Sequence, residues 1–119
     1  MEKISITDEM GPALAFAGHV EYAAGYAKYY EDILEKSNYL KKISRFSGAI
    51  TNDALSTVIR SVLVESEEIE NGYEADEVRM NLLFAARSSA DLELSKEIAL
   101  AMKDDDNAAR ALALLIPLL

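Results

Sequence analysis

The chain predicts an all-α fold, and three observations predict it. Apolar residues recur at i, i+3, i+4 and i+7 through most of its length, which is the helical period and not the strand period. Residues that cap helices stand where those periodic segments begin. Only two prolines and five glycines interrupt the 119 residues, and no low-complexity tract or 30–45-residue repeat divides them. Half of the chain is hydrophobic, enough at this length to bury one core. The expectation is a single-domain helical bundle over 1–119, with about four to five helices, antiparallel neighbours and little or no β.

The first helix is predicted to start at Pro12, where a missing N–H is tolerated, with Asp8 and Glu9 upstream at the positive end of the dipole. At 100° per residue, His19, Tyr22, Tyr26, Tyr29 and Ile33 form one seam. Phe16, Val20, Ala23, Ala27, Tyr30 and Leu34 form another beside it, so this helix has a wide apolar face. A helix unbroken from 12 to 46 would be about 50 Å long. A break at Ser37-Asn38 is therefore expected, with "NYLKKISRFSG" as a short second helix ending near Gly48. Thr51 or Asn52 caps the next one, in which Leu55, Val58, Ile59, Val62, Leu63 and Ile69 keep the helical period until Asn71-Gly72 stops it.

From Glu74 the period resumes through Ala75, Val78, Leu82, Ala85 and Ala86, while Tyr73, Met80 and Phe84 make a second apolar stripe. Two apolar faces mean a helix that is central in its bundle or committed to a partner. Asp91 caps a segment whose Leu94, Ser95, Ile98, Ala101 and Met102 share a face. "KDDDN" at 103–107 ends that segment and caps the last helix, "AARALALLI". Arg110 is the one charge in that stretch, and Pro117 terminates it. "KISIT" near the start and "GAIT" at 48–51 alternate briefly and predict at most a β-bridge.

Twenty-one acidic residues against twelve basic ones give a charge of −9. The nearest approach to a basic patch is Lys41, Lys42 and Arg45, so binding to nucleic acid or to anionic membranes is not expected. The absence of cysteine removes disulfides, thiolate catalysis and cysteine metal sites, and suits a reducing cytoplasm. "MEKISITDEM" lacks the charge and apolar content of a secretory signal, and the longest apolar runs fall short of the roughly 20 residues of a membrane span. A cytoplasmic protein is expected.

No catalytic signature is present. Aligning Gly72 of "VESEEIENGYEADE" as an EF-hand glycine puts Ile69 and Val78 at ligand positions, and "KDDDN" is followed by Ala108 and Ala109, so neither reads as a calcium loop. A single histidine excludes H-E-x-x-H and paired E-x-x-H sites, and no glycine-rich phosphate loop occurs. Neither a cofactor nor a metal is expected on these grounds. Glu31, Asp32 and Glu35 of "EDILE", with Glu65 and Glu68 of "ESEE", resemble the acidic clusters of the all-α nucleoside triphosphate pyrophosphohydrolases related to MazG and the dimeric dUTPases. That resemblance implies magnesium held between two helices by converging carboxylates. The opening 30 residues look like the start of a small archaeal all-helical protein, a likeness that implies helices and no activity.

Two groups of residues are candidates for function. His19, Tyr22, Tyr26 and Tyr29 could line a pocket at the border marked by Gly18 and Gly25, although His19 itself is expected to be a mostly buried, hydrogen-bonded core residue. Tyr73, Met80, Phe84 and Leu115 are the candidate interface, because their helices carry more apolar surface than short helices hide. The function expected is a small acidic interaction or scaffold module that self-associates, as a homodimer, or binds a protein partner. The alternative is a small-ligand-binding or magnesium-dependent pyrophosphohydrolase-like bundle.

Overall fold

The computed structural model describes residues 10–46 and 53–118, and within them the chain forms seven α-helices and no strand. These are α1 (10–16), α2 (Val20–Gly25), α3 (Ile33–Ser44), α4 (Asp53–Ser66), α5 (Gly72–Ser88), α6 (Leu92–Leu100) and α7 (Asp105–Leu115), with 3₁₀ turns at Tyr26–Tyr29 and Ile116–Leu118. The all-α class is as expected; four to five helices is too few. The proposed caps Thr51 and Asn52 and the "KISIT" and "GAIT" segments lie outside the described residues.

One extra helix comes from the long first segment, which forms three helices where two are expected because it breaks at two places the hydrophobic period does not reveal. Gly18 has φ +93°, and the Gly18 N–H donates to Ala15 O while the His19 N–H donates to Leu14 O. Those two bonds are the Schellman arrangement, which a glycine in the left-handed region closes most cheaply. α1 therefore ends after two turns. Tyr30 is extended (φ −89°, ψ 124°), and the Asp32 side chain accepts from the Leu34 N–H to start α3. Ser37-Asn38, the expected break, lies inside α3. Buried Ser37 sits there without disrupting the helix because its hydroxyl donates to the Leu34 carbonyl one turn back, an arrangement that satisfies a polar group locally.

Asn71-Gly72 acts as a start instead of a stop. Asn71 Oδ1 accepts from the N–H groups of Tyr73 and Glu74, making Asn71 the N-cap of α5. Asp91 caps α6 as expected, accepting from Leu94 N, and within "KDDDN" it is Asp104 that caps α7, accepting from Asn107 N, so that α7 starts at Asp105, ahead of "AARALALLI". Of the two explanations for an apolar helix with two faces, α5 takes the first: it packs against α3, α4, α6 and α7. Ala75, Val78, Leu82, Leu83, Ala85 and Ala86 are all buried on it. The radius of gyration, 13.6 Å, equals the roughly 13.5 Å of a compact chain of this length.

α5 ends in the same Schellman geometry, with the Ala90 N–H on Arg87 O and the Asp91 N–H on Ala86 O, but here the left-handed residue is an alanine at φ 58°. A Cβ in that region costs about 1–2 kcal/mol, and glycine gives back part of the gain through unfolded-state entropy. Ala90→Gly is expected to raise stability by about 0.5–1 kcal/mol, read as a higher urea midpoint with an unchanged slope. An unchanged or lower midpoint would refute this.

Candidate functional site

The first candidate, the aromatic segment, is split by the chain breaks just described. His19 is exposed, not buried as expected, because the Gly18 turn makes it the residue preceding α2, where its side chain caps nothing. Its ring meets Tyr22 edge-on at 6.0 Å, and Tyr22 is 65% exposed. Tyr26 and Tyr29 make a separate pair at 5.9 Å, with Lys28 Nζ 5.5 Å from the Tyr29 centroid. The four thus form two ring pairs, one on either side of Gly25. A cavity of about 330 Å³ does open beside Gly25, but Ala27, Lys28, Lys36, Val58 and Glu65 line it and none of the tyrosines does.

The aromatic residues that are buried are Tyr30 and Tyr39, ring centroids 5.1 Å apart. The Tyr39 hydroxyl donates to the Ala23 carbonyl, so this pair ties α2 to α3 and belongs to the core. Phe16, placed in the apolar seam by periodicity, is 78% exposed and meets Phe46 edge-on.

The acids of the pyrophosphohydrolase-like motif do not assemble either. Asp32 is a helix cap, Glu31 and Glu35 are exposed, and Glu65 is paired with Lys36 at 3.1 Å. Among the described residues no group of three or more His, Asp or Glu side chains is placed to hold a metal ion.

The acidic residue with the most distinctive surroundings is one that neither motif singled out. Asp76, 3% exposed, accepts from the backbone N–H groups of Lys103 (2.8 Å) and Asp104 (2.9 Å) and from Asn107 Nδ2 (3.0 Å). Arg79 Nη1 lies 3.8 Å from it, within charge contact but beyond a hydrogen bond, while Arg79 Nε donates to Ser66 Oγ at 3.0 Å. Burial alone pushes the Asp76 pKa up, but the three hydrogen bonds and the Arg79 charge together bring it below the usual 3.8. A carboxylate held ionised with its oxygens occupied is not a general acid. Its role is positional: it fastens α5 to the turn between α6 and α7. Lys103 Nζ adds a bond to the Ile69 carbonyl from the same turn. A pattern of lone acids among many could not reveal this, since the partners are backbone groups 27 and 28 residues away.

The two helices joined by that turn, α6 and α7, enclose a groove of about 430 Å³. Leu100, Ala109, Leu112, Ala113, Ile116 and buried Leu115 line it, and Lys96 is the one charged residue of that lining. Leu100 is 74% and Ile116 67% exposed. α7 buries Ala111 and Leu115 against the rest of the chain and turns Ala109, Leu112, Ala113 and Ile116 outward. The residues proposed as an interface thus part company. Leu115 belongs to this groove and to the core. Tyr73, 80% exposed, stands beside Gly72, Lys103 and Asp104 in a separate depression of about 260 Å³. Met80 packs on the core, and partly buried Phe84 lies under Lys41 Nζ at 5.4 Å.

No helix among the described residues is long and apolar enough to cross a membrane. No protein-family model, curated protein or solved structure matches the chain.

Proposed function

We propose that the protein is a helical protein–protein interaction module whose docking surface is the α6–α7 groove. The observation that carries this reading is the outer face of α7, where a surface helix ordinarily carries charge. Here Ala109, Leu112, Ala113 and Ile116 face outward beside exposed Leu100. A continuous apolar concavity of this kind suits an amphipathic helix that presents anchors at i, i+3/i+4 and i+7. Lys96 at its edge selects for a carboxylate on that helix. A chain without cysteine works unchanged in a reducing cytoplasm, where we place it.

A displayed library of amphipathic helical peptides tests the reading. Peptides selected on the wild-type protein should bind at roughly micromolar Kd, and Leu100→Lys with Ile116→Lys should weaken them at least tenfold while leaving helicity and thermal midpoint within a few degrees. Failure to select any peptide, or selected peptides that bind the double variant equally well, would overturn it.

A further inference from the structure

We infer that the cavity beside Gly25 is a binding site for a small organic monocarboxylate with an apolar body. Its lining comes from α2 and the 3₁₀ turn after it, from α3 and from α4. It is therefore separate from the α6–α7 groove and does not depend on how that groove is used.

The lining combines the two surfaces such a ligand needs. Ala24, Ala27 and Val62 are buried and Val58 is partly so, which supplies apolar wall. Val58, Val62 and Glu65 recur at i, i+4 and i+7, so one face of α4 carries part of that wall and the one carboxylate of the lining. Two ammonium groups, Lys28 and Lys36, stand against that carboxylate. Lys36, whose side chain is 15% exposed, already holds both Glu65 oxygens, at 3.1 and 3.3 Å. Lys28 joins no ion pair among the described residues, and its flexible stem leaves the ammonium free to close on an anion. The lining thus holds one cation in excess, in a chain whose overall charge is −9. An amine in the cavity would have to take Glu65 from Lys36 and strand a largely buried charge. A carboxylate strands nothing and gives Lys28 a partner.

Gly25 keeps the cavity open. A glycine inside a helix is less favourable than alanine and calls for a reason, commonly a positive φ or the close approach of another element. Neither applies here, because φ is −60° and no atom lies within 4 Å of an added Cβ. What the missing side chain does leave is space at the cavity wall. The volume, about 330 Å³, sets the size of the ligand: at roughly 30 Å³ for each water-sized group it admits about ten to twelve non-hydrogen atoms. That is too few for a nucleotide and enough for a carboxylate on a short chain or a single ring.

Titration of the full chain with phenylbutyrate and with octanoate, followed by amide NMR, tests the assignment. Each should shift Ala24, Ala27, Val58 and Val62 with a Kd of roughly 0.1–1 mM, and the corresponding neutral amides should bind at least about fivefold more weakly. Lys28→Gln should cost a similar factor for the acids and nothing for the amides. Gly25→Leu should weaken both acids at least about tenfold by filling the space, while leaving the thermal midpoint unchanged or higher. Leu100→Lys with Ile116→Lys, in the other groove, should leave this binding as it is. No shift at those four residues with either acid up to about 10 mM overturns the inference. So does an amide that binds as well as its acid, a folded Gly25→Leu protein that binds like wild type, or binding that is lost in the Leu100 and Ile116 double variant.

Discussion

Asp76→Ala is expected to destabilise the fold by about 3–5 kcal/mol, whereas Arg79→Met, on the other side of the same contact, should cost no more than about 1–2 kcal/mol. Removing one partner of a buried pair strands the other charge, and the cost depends on what the stranded group has left. Without Asp76, Arg79 keeps a single side-chain bond, from Nε to Ser66 Oγ, and Nη1, which already lacks a hydrogen bond, loses its counter-charge. Lys103 N, Asp104 N and Asn107 Nδ2 lose their acceptor in the same step. Without Arg79, by contrast, Asp76 retains all three of those donors. The long apolar stem of methionine also occupies much of the space the arginine stem filled. Urea denaturation of the two variants tests the asymmetry; equal losses, or the larger loss at Arg79, would show that the ion pair and not the backbone bonds holds this corner.

The same carboxylate sets an acid dependence. Its folded pKa lies below 3.8, so the stability it contributes is complete above the unfolded-state value near 4 and is lost as pH falls through the lower folded value. The gap between wild type and Asp76→Ala should therefore be constant above about pH 5 and narrow below about pH 4. Because Asp76 anchors the α6–α7 turn, binding at the groove should weaken in the variant although no groove residue has changed.

The sequence made legible whatever depends on neighbours along the chain. α4 through α7 follow their apolar periods, and Asp91 and Asp104 cap where short-range chemistry says an aspartate should. The apolar outer face of α7 was also visible, because "AARALALLI" carries no charge but Arg110. Lost were features decided by one backbone angle or by distant partners. A glycine inside a regular 3.6 period reads equally well as a packing residue, and Gly18 turns out to be the left-handed stop that removes His19 from the core. Asn71-Gly72 has the composition of a stop, but whether an asparagine ends one helix or begins the next depends on which N–H groups its side chain finds. Nothing along the chain distinguishes Asp76 from the other acids of "VESEEIENGYEADE"; the α6–α7 turn does, by placing two backbone N–H groups over it.

Gly11→Ala should destabilise the protein by about 2–3 kcal/mol, while the same substitution at Gly25 should leave stability unchanged or raise it by up to about 1 kcal/mol. Helix propensity alone predicts a gain at both, since alanine is favoured over glycine by about that amount. The surroundings reverse the sign at one of them. A Cβ on Gly11 would overlap the Tyr39 hydroxyl and ring and come within 2.6 Å of Tyr39 Cζ. An exposed tyrosine would swing aside, but Tyr39 is 3% exposed, its hydroxyl is bonded to the Ala23 carbonyl and its ring lies against Tyr30. α1 must therefore shift off α3 or the tyrosine must give up its buried bond, each within the range of an overpacked core. At Gly25 nothing lies within 4 Å of the added atom, and the backbone is already helical at φ −60°. Thermal unfolding of the two variants separates these cases, and Tyr39→Leu supplies a check on the cause. In that background the cost of Gly11→Ala should fall by at least half, because the overlapping ring is gone. A cost that persists undiminished would place the strain in the backbone of α1 and not in its contact with Tyr39.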